Sequence, residues 1–160
     1  MPALAGACIS ISTQKRLTAH HGKLLSGSER GIPVYAASFI RERRIVLETG
    51  LLGKPQKLRL IVVHEIFHFV WARLGNAIRQ SFASLLEQER QNRVRGELGE
   101  SAALKKKIGS WKDYVCESFC DTAAWMYAGV NSNAEFTLAA KWRNQRQAWF
   151  ESNFKKPRKC

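Results

Sequence analysis

The feature that most constrains this chain is the sequence His-Glu-Ile-Phe-His at 64–68, set inside an apolar segment. Apolar residues fill 60–63 before it and 69–71 after it. Residues four apart on an α-helix share a face, so the imidazoles of His64 and His68 can reach one metal ion. Burying such groups is costly unless they are paired or ligated. The pattern therefore predicts a buried helix with a metal site. The alternative is a chance match in which both histidines are inert core residues.

The spacing of the acid within this motif indicates its role. Zinc accepts imidazole nitrogens, and a catalytic zinc site keeps one position open for water. Glu65 directly follows His64, so its carboxylate can reach that water rather than the metal. We therefore expect Zn²⁺ as the cofactor, His64 and His68 as metal ligands, and Glu65 as the general base.

A third ligand is predicted on a later helix. Glu117 and Asp121 are four residues apart among mostly apolar neighbours, and two carboxylates on one helix face repel each other unless a positive group lies between them. A zinc ion held by Glu117 supplies that charge, and Asp121 can accept the proton on the far nitrogen of a ligand histidine, most naturally His64. The alternative is a solvated acidic stripe or ion pairs with arginines.

The two helices together resemble the gluzincin class of zinc metallopeptidases. The resemblance covers the helix with His64, Glu65 and His68, the helix with Glu117 and Asp121, and their connection. It implies a zincin-like fold, a peptide or protein substrate and zinc-dependent peptide hydrolysis. It also implies a sheet edge along the substrate cleft, for which the strand-like run 44–49 is the candidate.

The class also uses a tyrosine or histidine that polarises the substrate carbonyl. The sequence does not single out one such residue. The candidates are Tyr35, Tyr114, Tyr127 and the pair His20 and His21.

Two cysteines flank the proposed third ligand. Cys116 and Cys120 share a helix face turned about 100° from Glu117. Cysteine is among the most often buried residue types, which favours simple core packing for both. Thiolates also bind zinc well, so a site closed by one of these cysteines is the rival interpretation, in which the protein is a non-catalytic zinc-binding module.

Turn and capping signals divide the chain into elements. They predict strands at 34–40 and 44–49, and helices at 55–75, about 78–98, 110–129 and 132–154. Ser110 and Ser132 are the expected N-caps of the last two helices. These elements predict an α+β fold that is mostly helical, with a small antiparallel sheet before the motif helix, and the resemblance implies that the fold is zincin-like. We expect one domain over 1–154 and a basic tail over 155–160.

Length and charge set the remaining expectations. The chain has 160 residues, which is the size of one domain. Its 26 Lys and Arg residues against 13 Asp and Glu give a net charge of +13, which suits either a basic solvated surface or a nucleic-acid partner with a structural zinc site, although no nucleic-acid-binding motif is found. No run is apolar enough to span a membrane, and the first fourteen residues lack a basic secretory n-region. The sequence therefore predicts a cytoplasmic protein with reduced thiols.

Overall fold

The computed structural model describes residues 6–20, 23–27 and 31–154, which form a mixed α+β fold. The predicted tail at 155–160 lies outside the described residues. The strands are β1 (Ser10–Gln14), β2 (Leu17–His20), β3 (Lys23–Ser26), β4 (Ile32–Pro33), β5 (Ala36–Phe39) and β6 (Arg44–Glu48). A 3₁₀ turn over Thr49–Gly53 leads into the helices, which are α1 (Pro55–Arg73), α2 (Asn76–Gln91), α3 (Glu100–Ile108), α4 (Trp111–Tyr127) and α5 (Ala140–Asn153).

The six strands form two three-stranded sheets, and the sheet before the motif helix is mixed rather than antiparallel as expected. Its order is β1-β6-β5, with β5 antiparallel and β1 parallel to β6. The prediction that 44–49 forms a sheet edge is wrong, because β6 is the central strand and Ile45, Val46 and Leu47 are all buried. The partner missed by sequence reasoning is β1, whose five residues are all exposed and include a single apolar residue, Ile11.

Helix α1 begins and ends at the signals found in the sequence. Pro55 occupies its first turn, where a missing N–H costs nothing, and the helix ends at Arg73, before Gly75. Helix α4 begins after Ser110, whose hydroxyl accepts a hydrogen bond from the Asp113 N–H at 3.1 Å, as the capping pattern predicts. These two helices pack against each other, and their contact faces carry the motif residues.

Two predicted helix boundaries are wrong. The helix expected over 78–98 ends at Gln91, because the chain turns at Arg93 and Gly96, both with positive φ angles. A side chain at Gly96 would overlap the backbone of Thr137, so this turn requires glycine.

The last helix begins at Ala140 rather than at Ser132. Glu135 does not complete the expected capping box. Its N–H donates to Asn133 Oδ1 at 2.8 Å in a local turn, and its carboxylate lies 3.6 Å from Lys57 Nζ on α1. The segment is therefore a loop, because a side-chain hydrogen bond replaces the first helical turn. The ion pair of Glu135 with Lys57 holds this loop against α1.

Aromatic rings fill the core between α1, α2, α4 and α5. Phe67, Phe82, Phe119 and Phe150 are buried, and the ring centroids of Phe119 and Phe150 lie 4.9 Å apart.

Within the described parts of the chain, no helix is both long enough and apolar enough to cross a membrane.

A buried arginine on α5 binds residues at both ends of the connection between α2 and α3. Arg146 is fully buried and donates to both carboxylate oxygens of Glu89 at 2.8 and 2.6 Å, and to Glu97 at 3.1 Å. Glu97 also accepts from Tyr114 and Lys106. Because each buried charge has an opposite partner, the network fixes the chain just before α3.

Candidate metal centre

The two histidines of α1 point their Nε2 atoms at each other. Nε2 of His64 lies 3.1 Å from Nε2 of His68, as the i, i+4 spacing on one helix face predicts. His64 is buried and His68 is partly buried, so both imidazoles are largely removed from bulk water. The sequence prediction that this motif lies on a helix, with both imidazoles brought together, is confirmed.

The carboxylate of Glu117, on α4, approaches the two Nε2 atoms from the opposite side. Its Oε2 lies 3.2 Å from Nε2 of His64 and 3.9 Å from Nε2 of His68. Two imidazole nitrogens and one carboxylate oxygen therefore converge on one point between α1 and α4. Atoms that carry lone pairs repel each other at such distances unless a cation or a proton lies between them.

The spacing of the three atoms fits a zinc-sized cation. Two nitrogen or oxygen ligands of one tetrahedral zinc, with bonds of ~2.0–2.1 Å, lie about 3.4 Å apart. The distances among His64, His68 and Glu117 are 3.1, 3.2 and 3.9 Å, which bracket that value. The donor set therefore fits a metal ion, with imidazole and carboxylate ligands of the kind zinc accepts.

Asp121 lies behind His64, on the side away from this point. Its Oδ1 is 2.7 Å from Nδ1 of His64, which is the contact expected from the sequence. Its Oδ2 accepts a hydrogen bond from the N–H of Ala102 at 2.8 Å, in the first turn of α3. The carboxylate thus holds the proton on Nδ1 and leaves the lone pair of Nε2 free.

The N-terminus of α3 depends on a glycine at this contact. A Cβ atom at Gly99 would overlap the Asp121 carboxylate, although the extended backbone at this position suits any residue. Sequence reasoning missed Gly99 and Ala102, because nothing in a single sequence shows that this backbone approaches α4.

Glu65 is buried and lies on the groove side of α1. The hydroxyl of Ser38 on β5 lies 2.6 Å from Glu65 Oε2, where it donates a hydrogen bond, and 3.1 Å from the Glu65 backbone oxygen. Ser38 therefore fixes the orientation of the carboxylate predicted to be the base. No sequence signal marked Ser38, since the pairing joins residues 27 positions apart.

The charges around the histidines shift the pKa values of the metal-free site. Burial alone would lower the pKa of His64, but the carboxylates of Asp121 and Glu117 outweigh it and raise that pKa well above its usual range. Burial alone would raise the pKa of Glu117, yet the two histidines lower it below its usual value. Without a metal, the site therefore favours a proton between the imidazoles and the carboxylate.

A groove of about 420 Å³ opens onto these residues. Ala36, Ala37 and Ser38 of strand β5 line it, and the other lining residues are Ile40, His64, Glu65, His68, Trp71, Ala72, Ser101, Cys116 and Glu117. The predicted metal ligands and the predicted base are therefore accessible from one side.

The cysteines lie closer to the site than core packing predicts. Sγ of Cys120 is 3.5 Å and Sγ of Cys116 is 3.6 Å from Nδ1 of His68. Cys120 forms with His64 and His68 a group of three residues whose ligand atoms all lie within 4.8 Å of one another and could hold a metal ion. Sequence reasoning favoured core packing for both cysteines and kept a site closed by one of them as the rival interpretation. It missed that both sulfurs meet the second nitrogen of His68.

Of the candidates for polarising a substrate carbonyl, the three tyrosines, all within the described residues, do not line the groove. The hydroxyl of Tyr114 donates to Glu97 in the buried network, and the ring of Tyr127 stacks on Phe67. Tyr35 lies beneath Lys57, whose Nζ is 4.0 Å from its ring centre. His21 lies outside the described residues, and of His20 only the backbone in β2 is described.

Comparison of the chain with protein-family models, with curated proteins and with solved structures finds no match.

Proposed function

We propose that the protein is a zinc-dependent peptidase of the gluzincin type. The observation that carries the proposal is the convergence of His64 Nε2, His68 Nε2 and Glu117 Oε2 beside the carboxylate of Glu65. This arrangement is what the resemblance implies: three ligands from two helices, and an acid one residue after the first histidine. A bound zinc would lower the pKa of a water ligand toward ~7 and polarise a carbonyl oxygen.

The remaining chemistry belongs to the protein's own side chains. Glu65 accepts a proton from the attacking water and returns it to the nitrogen of the leaving amine. Ser38 donates to Oε2 of Glu65, which holds the carboxylate toward the groove. Asp121 keeps the Nδ1 proton on His64, so that Nε2 stays available as a ligand atom.

The outer position of β5 supports a peptide as the substrate. Among the described residues β5 pairs with β6 on one side and with no strand on the other, and its residues Ala36, Ala37 and Ser38 line the groove. An extended peptide can add to such an edge through main-chain hydrogen bonds. The small side chains of the two alanines leave room for it beside Glu65.

The test is the variant Glu65→Gln, with Glu42→Gln as an exposed control on the β5–β6 connection. We expect Glu65→Gln to bind one zinc per chain while its cleavage of a random peptide mixture, read by mass spectrometry, falls by ~10²–10⁴-fold. Glu42→Gln should match the wild type in both measurements. Loss of zinc in Glu65→Gln would make Glu65 a ligand. A zinc-loaded wild type that cleaves no peptide would refute hydrolysis but not metal binding.

The observation that favours a second candidate, a non-catalytic metal module, is the grouping of Cys120 with His64 and His68. In that module Cys120 replaces Glu117 as the third ligand. Zinc affinity measured in Glu117→Gln and Cys120→Ala separates the two functions: the peptidase requires Glu117, whereas the module requires Cys120.

A further inference from the structure

The imidazole of His68 faces a different set of donor atoms on each side. Its Nε2 faces His64 and Glu117, whereas its Nδ1 lies 3.6 Å from Sγ of Cys116 and 3.5 Å from Sγ of Cys120. Two sulfurs and one nitrogen thus meet on the side of His68 that the proposed peptidase does not use.

These distances match those around a metal ion. A sulfur and a nitrogen ligand on one tetrahedral zinc-sized ion, with bonds of ~2.3 and ~2.0–2.1 Å, lie about 3.6 Å apart. Both sulfur-to-Nδ1 distances, 3.6 and 3.5 Å, agree with that value before any side chain moves. Cysteine thiolates select soft cations such as Cu⁺.

We propose that Cys116, Cys120 and Nδ1 of His68 form a second, sulfur-rich site that binds a thiophilic cation. Each thiol releases its proton to solvent when its sulfur binds the ion. Cys116 provides access, because it lines the groove, whereas Cys120 is buried.

Occupation of this site opposes occupation of the first. A neutral imidazole has one lone pair, so His68 binds a cation either through Nε2 or through Nδ1. A thiophilic cation on Nδ1 requires the proton to be on Nε2, which removes one of the three ligands of the proposed zinc site. The second site is therefore inhibitory for any activity of the first, although its existence does not depend on the proposed hydrolysis.

The experiment uses Cd²⁺ alone, added to metal-free, reduced protein in which Cys8 and Cys160 are replaced by serine. Only Cys116 and Cys120 can then give the ultraviolet thiolate-to-cadmium charge-transfer band. We expect one Cd²⁺ per chain and a band of the intensity of two thiolates. Adding Cys116→Ser should halve the band and weaken binding at least tenfold. Glu117→Gln, which damages only the first site, should leave the band unchanged.

Three results would overturn the proposal. The first is the absence of a band in the parent protein. The second is an unchanged band after Cys116→Ser together with its loss after His64→Ala, which would assign the ion to His64, His68 and Cys120. The third is a band that disappears in Glu117→Gln. A circular dichroism spectrum of each variant shows whether it is folded. The Cd²⁺ stoichiometry and the charge-transfer band are both measured without peptide cleavage, so they do not depend on the proposed hydrolysis.

Discussion

The carboxylate of Asp121 connects His64 to the first turn of α3, with one oxygen 2.7 Å from Nδ1 and the other 2.8 Å from the N–H of Ala102. Both oxygens therefore accept a hydrogen bond, and the charge is stabilised by a helix N-terminus. The orientation of a metal-ligand candidate thus depends on where α3 begins.

Asp121→Ala should weaken zinc binding by ~10–100-fold without abolishing it at saturating metal. The reason is that His64 loses the acceptor that fixes its tautomer. Asp121→Asn should also weaken binding, because an amide offers only one oxygen where His64 and Ala102 both donate. A zinc titration against a competing chelator measures both variants. Unchanged affinity in both would show that Asp121 has no role in metal binding.

Gly99→Ala tests the same contact from the other side. The added methyl group must displace the Asp121 carboxylate, so we expect weaker zinc binding and a loss of about 1–3 kcal/mol in the free energy of unfolding. Gly53→Ala is the matched control, because a Cβ there meets open space. Equal zinc affinity in the two variants would mean that Asp121 can move without consequence for the metal.

Sequence reasoning predicted the candidate site residues that share a helix, and it missed the residues that contact them from other elements. The candidate residues on each helix are spaced by one or four positions, and the helical period brings those four apart to one face. On α1 they are His64, Glu65 and His68, and on α4 they are Glu117 and Asp121. Spacing alone cannot show which residues on other elements approach a helix.

The missed features all depend on long-range packing. Ser38 reaches Glu65 from a strand, and Gly99 reaches Asp121 from a loop. The parallel pairing of β1 with β6 was missed for the same reason, because β1 is exposed and short. The incorrect helix start at Ser132 is different, since local hydrogen bonds and the ion pair of Glu135 with Lys57 overrode a valid capping pattern.

The stability of the metal-free protein should fall as pH rises above neutrality. His64 has a raised pKa in the folded state, so its contribution is complete below the unfolded pKa of about 6.5 and is lost as pH rises through the folded pKa. Urea unfolding at several pH values measures the free energy of unfolding. His64→Gln should make that free energy depend less on pH.

This measurement needs Cys116→Ser as its background. The pKa of the Cys116 thiol is lowered to about 6, chiefly by the neighbouring Cys120 thiol and also by His68, which would add an opposing pH dependence. Zinc should reverse the trend, because a metal binds only deprotonated imidazoles and its stabilisation grows with pH. A stability profile that rises with pH without zinc would contradict the charge arrangement described for His64.

The measurement that tests the central claim most directly is zinc X-ray absorption on the wild-type protein loaded with one equivalent of zinc. If His64, His68 and Glu117 hold the ion, the spectrum will show only nitrogen and oxygen neighbours at ~2.0–2.1 Å. A sulfur neighbour at ~2.3 Å would place the ion on a cysteine and contradict the claim.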